Sequence, residues 1–127
     1  MPAKIFDKLG DLKQALTRDY NTINMQLFDV GVVTLKIEFL EEKIFILAIH
    51  KRLVSLQRLS QQAAFVSDMA DYYLIQAFKE DFHDILVRKY GFDIDFIFKD
   101  YDSASERSAT IILLKEPVQT YLAQPTA

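Results

Sequence analysis

Apolar residues recur at helical spacing through the first part of the chain. Ile5, Leu9, Leu12, Leu16, Tyr20 and Ile23 are separated by four, three, four, four and three residues. On a 3.6-residue turn they form one stripe, and Lys4, Lys8, Asp11, Lys13 and Arg18 lie mostly off it. The spacing predicts an amphipathic helix that covers a sheet. Gly10 costs about 1 kcal/mol in a helix interior, which marks a candidate break. The period then changes to two: Val33, Leu35, Ile37 and Phe39 alternate with Thr34, Lys36 and Glu38, a strand with one wet face. Glu41-Glu42 is a short polar break, and residues 43–50 form an apolar run of strand length. That run reads as a central strand, buried on both faces or in an interface, and it pairs with its predecessor as a hairpin although the turn lacks Asn-Gly.

A long helical region follows. Ser55 is a candidate N-cap. Phe65, Met69, Tyr72, Ile75, Phe82, Leu86 and Tyr90 track a stripe that Lys79 interrupts; Val66, Tyr73, Ala77, Phe78 and Ile85 widen it beyond what one sheet covers. A bend is expected near residues 61–67, and Gly91 is a C-terminal stop. Phe92, Ile94, Phe96 and Phe98 alternate with Asp93, Asp95 and Ile97 as a half-buried strand. Residues 100–107 read as a polar loop with Asx turns, residues 109–114 as the last strand, and Pro117 as the end of regular structure. The order helix, hairpin, helix, hairpin predicts an α+β two-layer domain over residues 1–116. It holds a four-stranded antiparallel sheet with helices on one face, followed by a loose tail over 117–127. The second sheet face, the 44–49 run and the over-wide helix leave spare apolar surface, so a homodimer or a stable protein partner is expected.

Composition narrows the picture. A chain of 127 residues, half of them hydrophobic and 26% charged, has the balance of a single globular domain. The absence of cysteine excludes disulfides and thiolate metal sites and fits a reducing cytosol, so a cytoplasmic location is expected. The start of the chain lacks a signal-peptide apolar region. No apolar run approaches the roughly 18 residues of a spanning helix, so membrane contact would run through a partner. A net charge of −3 argues against a dedicated nucleic-acid binder.

Few residues carry recognisable chemistry. His50 and His83 sit in no nucleophile–base pattern. Asp81, His83 and Asp84 are too close in sequence to share one helix face, although Glu80 and Asp84, four apart, could flank a ligand. Asp100-Tyr-Asp102-Ser opens like a calcium loop but lacks the required Gly and closing Glu. His50-Lys51-Arg52 with Arg58 is the one basic cluster, a candidate for a phosphate or an acidic partner. No catalytic residue, cofactor or metal site is implied.

Residues 35–114 resemble the MpsC-type bacterial domain family. The features carrying the resemblance are the apolar strand 44–49, the helix entry Leu53-Val54-Ser55, and a long helix ending at Val87-Arg-Lys-Tyr-Gly91-Phe92. A strand follows, then Asp100 and Glu106 in a polar loop and a final strand from Ile111 to Leu114. The chain departs at Leu56-Gln57-Arg58, where the family has Pro-x-Glu, and at Ser105, where it has Gly. The resemblance implies an accessory, non-catalytic role beside a membrane ion or inorganic-carbon transport system, and no ligand residues. The leading expectation is therefore an oligomeric interaction module, with Tyr72, Tyr73 and Phe78 as interface residues and Arg52 and Arg58 as rim charges. The alternatives are a ligand binder or enzyme using Asp81, His83 and Asp84 or the basic cluster with Arg107, and a nucleic-acid binder using Lys51, Arg52 and Arg58.

Overall fold

The computed structural model describes residues 6–123. Its elements are α1 (Leu9–Phe28), β1 (Val32–Leu40), β2 (Lys43–His50), α2 (Val54–Gln62), α3 (Ala64–Arg88), β3 (Ile94–Asp102), β4 (Arg107–Leu114) and a 3-10 turn (Val118–Tyr121). The strands form one antiparallel sheet in the order β1-β2-β4-β3, so the edges are β1 and β3. The fold is α+β, with α1 and α3 packed on one sheet face.

Gly10 lies in the first turn of α1, where its cost is small, and α1 runs on unbroken. The helix ends where Asp29 turns left-handed (φ 58°) and its N–H donates to the Met25 carbonyl. Ile5 lies outside the described residues. The long helical region does break within the expected window: α2 stops at Gln62 and α3 starts at Ala64. Ser55 falls inside the first turn of α2 rather than capping it. Gly91 takes φ 69°, which permits the sharp exit from α3.

The core joins Leu12, Leu16, Tyr20 and Ile23 of α1 to Phe78, Phe82 and Leu86 of α3 over Ile37, Ile44, Ile46 and Ile112. Tyr20 and Phe78 meet at a centroid distance of 4.7 Å, and Tyr20 and Phe82 at 5.9 Å edge to face.

Three expectations are corrected. Register shifts occur between Val32 and Thr34 and between Ile94 and Phe96. Each bulge inserts a residue and exchanges the two faces downstream of it. Val33 is consequently exposed, and so are Phe96 and Phe98, while Ile97 is buried. Secondly, the polar loop shrinks to residues 103–106, because Asp100, Asp102 and Arg107 lie on paired strands. Ser105 donates its N–H to Asp102 there, one residue further along the chain than an Asx turn reaches. Thirdly, the segment after Pro117 is not loose over its described part. Val118 and Leu122 are core residues, the Val118 N–H donates to the Glu41 carbonyl (2.8 Å), and the Ala123 N–H donates to the Phe6 carbonyl (2.8 Å). Apolar side chains after a proline dock wherever the core leaves a gap, whatever their local propensity.

Candidate functional site

The helical region after β2 forms an arm. Among the described residues, α2 buries none of its own; it packs mainly on α3, and Leu56 and Leu59 are its half-buried apolar residues. The first half of α3 buries only Ser67, and Phe78, Phe82 and Leu86 anchor its second half. On the arm's surface stand Phe65 (77% exposed), Met69 (49%), Tyr72 (60%) and Tyr73 (74%). Phe65, Met69, Tyr72 and Tyr73 follow i, i+4, i+7 and i+8 spacing, so they form one stripe along the helix.

Arg52 fastens the arm to the sheet. Its guanidinium donates to both Asp71 oxygens (3.3 and 2.8 Å), to the Leu56 carbonyl (2.9 Å) and to Ser67 Oγ. Its own N–H donates to Glu106 Oε2 at 2.7 Å. Arg52, just past the end of β2, thus holds α2 and α3 through its guanidinium and the β3–β4 loop through its backbone N–H. A buried arginine is stable only when its donors are satisfied, and here Asp71 supplies the charge.

Two expected interface residues are therefore reassigned. Phe78 is fully buried. It points about 240° around the helix from Tyr72, since each residue turns about 100°, and so it faces the sheet. Arg52 is 8% exposed and acts inside the monomer. Tyr72, Tyr73 and Arg58 are exposed. The basic cluster disperses for the same reason: His50 and Arg52 point inward, and Lys51 and Arg58 remain at the surface.

The second uncovered surface is the sheet face away from the helices. The inward row of β2 is Ile44, Ile46, Ala48 and His50, and that of β4 is Ser108, Thr110, Ile112 and Leu114. Phe45, Leu47 and Ile49 therefore point outward beside Ala109, Ile111 and Leu113. The bulge in β3 adds Phe96 and Phe98, whose rings meet at 4.4 Å. The outward row of the two central strands is thus apolar from Phe45 to Ile49 on β2 and from Ala109 to Leu113 on β4.

Polar groups also sit beneath the helices. Lys99 Nζ donates to Tyr20 Oη (2.6 Å) and Thr110 Oγ1 (3.3 Å), and it lies 4.1 Å from the Phe78 ring centroid and 4.7 Å from that of Tyr20. Burial lowers its pKa to about 7. His50 is stacked on Tyr101 at 4.8 Å, and neither ring nitrogen has a partner among the described residues. Burial, reinforced by the Lys99 charge, lowers its pKa to about 4. Burial raises Tyr101 to about 12. Sequence reading missed Lys99 because the bulge before Phe96 reverses its side. It missed Asp71 and Ser67 because only folding brings them to Arg52.

Asp81, His83 and Asp84 are all exposed on α3. His83 and Asp84 join Glu80, Lys79 and Asp95 along an open trough of about 530 Å³ between α3 and β3, while Asp84 pairs with Arg88. Among the described residues no three His, Asp or Glu side chains are placed to hold a metal ion. Arg107 lies apart from these groups, on the outer sheet face beside Asp102. Among the described residues no helix is long and apolar enough to cross a membrane. Compared with known protein families, curated proteins and solved structures, the chain matches none.

Proposed function

We propose that this chain is a non-catalytic protein-interaction module, an accessory or regulatory subunit, whose α2–α3 arm receives an apolar helical surface of another protein. The observation that carries this reading is the exposed stripe of Phe65, Met69, Tyr72 and Tyr73 on the first half of α3, which together with α2 buries only Ser67. Large aromatic side chains offer roughly 150–250 Å² each. At the exposures seen here, the stripe presents on the order of 500 Å², against about 800 Å² per partner in a standard interface. Asp68, exposed on the same turns of α3, supplies a polar group beside it, and Arg58 is exposed on α2. Aromatic anchors within a polar rim are the usual make-up of a binding hot spot.

The test uses the full chain as bait on soluble and detergent-solubilised host fractions, beside a Phe65→Glu/Tyr73→Glu variant. A protein recovered in stoichiometric amount by the parent, lost by the variant and cross-linked to α3 supports the reading. Recovery that the variant leaves unchanged, or no stoichiometric partner, overturns it. The link to a membrane ion or inorganic-carbon transport system rests on the resemblance of residues 35–114 alone. It gains support if the recovered protein is a transporter subunit, and it is removed if that protein is soluble. A small-ligand reading draws on the trough beside His83, whose volume of about 530 Å³ lies in the range of ligand sites. Loss of any metabolite-induced thermal shift on Glu80→Gln/His83→Ala substitution would move the assignment there.

A further inference from the structure

The outer sheet face is laid out in four cross-strand rows, each read from β1 to β3. The rows are Leu40–Lys43–Leu113–Phe96, Glu38–Phe45–Ile111–Phe98, Lys36–Leu47–Ala109–Asp100 and Thr34–Ile49–Arg107–Asp102. Its centre is apolar, and Leu47 stands out at 56% exposure. Its charges are three cations (Lys36, Lys43, Arg107) and three carboxylates (Glu38, Asp100, Asp102), so the face is neutral although the chain carries −3. A hollow of about 230 Å³ lies over Ala109, bordered by Leu47, Asp100 and Arg107.

We infer that this face is covered by a second copy of the chain, sheet against sheet, about a two-fold axis that runs parallel to the strands between β2 and β4. Such an axis turns each row onto itself with its ends exchanged. Leu47 then lies over Ala109 of the second copy and fills the hollow there. Phe45 meets Ile111, and Leu40 meets Phe96. Lys36 faces Asp100 of the second copy, and the symmetry makes that contact twice. An axis across the strands would instead set two carboxylates on aromatic rings, Asp100 on Phe98 and Asp102 on Phe96; the axis along the strands sets one there, Glu38 on Phe98, and Lys36 of the same strand pairs with that carboxylate at 3.3 Å.

The dimensions allow the ion pairs. Strands about 4.8 Å apart place β1 and β3 roughly 7 Å either side of the axis. The usual sheet-packing angle of about −30° displaces those edges by roughly 3–4 Å, within the reach of a lysine side chain. Four strands of outward Leu, Ile and Phe give a patch of several hundred Å², the size that marks an interface rather than a solvent-facing surface. The inference concerns a different face from the arm and stands whether or not the arm finds a partner.

The closing experiment is sedimentation of the full chain and its variants at micromolar concentration, with far-UV circular dichroism to confirm folding. The parent sediments as a dimer and Leu47→Glu as a folded monomer; Leu47 is exposed, so the substitution leaves the core intact. Lys36→Asp and Asp100→Lys each weaken the dimer roughly tenfold or more, since like charges then face each other twice. Mixing these two single variants restores dimer, because both contacts in the mixed pair are again attractive. A monomeric parent overturns the inference. So does a dimer that survives Leu47→Glu, or a mixture no tighter than its components. Dissociation by Phe65→Glu/Tyr73→Glu in place of Leu47→Glu would put the second copy on the arm and overturn it as well.

Discussion

Replacing Lys99 with methionine should make the protein more stable at neutral pH, and the gain should fade as the pH rises. The ammonium lies under the helices among Tyr20, Phe78 and Thr110, and among the described residues no carboxylate pairs with it. Burial lowers its pKa from 10.5 to about 7. Below about 7 both the native and the unfolded chain hold the proton, and the native state bears the full cost of a buried charge. Between about 7 and 10.5 the native state releases the proton and the unfolded state keeps it. Stability from this group therefore rises with pH across that window. At 1.36 kcal/mol per pH unit of displacement, the full cost is roughly 5 kcal/mol, and about 3 kcal/mol of it is recovered between pH 7 and 9.5.

Two ring faces attract the cation, worth about 2 kcal/mol or more when desolvated, and the hydrogen bonds to Tyr20 and Thr110 add to that attraction. A net gain of about 2 kcal/mol at pH 7 is therefore expected for Lys99→Met. Tyr20 keeps Ser108 as a partner at 3.1 Å, so its hydroxyl is not stranded. Urea unfolding of parent and variant at pH 7 and 9.5, followed by circular dichroism, measures both quantities. The reasoning is refuted if Lys99→Met is the less stable protein at pH 7, or if the two proteins keep the same difference at both pH values.

His50 governs the acid side. Its native pKa of about 4 lies below the ordinary 6.5, so stability from this group is intact above 6.5 and declines as the pH falls towards 4. The loss is roughly 3 kcal/mol, and His50→Phe, which keeps the stack on Tyr101, should flatten it in urea titrations at pH 7 and 4.5. Arg52→Ala leaves Asp71 and Ser67 without their partner and should cost about 3–5 kcal/mol. Amide exchange should show α2 losing protection before the sheet does. Glu41 holds φ 56° in the two-residue turn between β1 and β2. Glu41→Gly relieves a left-handed strain of about 1–2 kcal/mol and loosens the unfolded chain by somewhat less, so a rise in stability of about 0.5–1 kcal/mol is expected on chemical denaturation.

The elements and their order follow from periodicity in the sequence. Leu12, Leu16, Tyr20 and Ile23 repeat at helical spacing and all face the core. The 43–50 run reads as a central strand because both of its faces are apolar, and it takes that place between β1 and β4. The excess of apolar residues on the long helix was legible too, but which of them stay exposed was not. Phe78 and Tyr73 look alike in sequence; Phe78 lies on the half of α3 that is anchored in the core, and Tyr73 on the half that buries only Ser67. Tertiary structure also decided the faces of β3. A single inserted residue between Ile94 and Phe96 turns Phe96 and Phe98 outward and Lys99 inward, and a bulge has no signature in a period-two pattern. Arg52, Asp71, Ser67 and Glu106 are brought together by the chain's return after α3 and β3. Local pattern fixes which segments are helix or strand because those bonds are short-range in sequence. Side-chain pairing across 19 or 54 residues, as Arg52 makes with Asp71 and Glu106, exists only once the layers have packed.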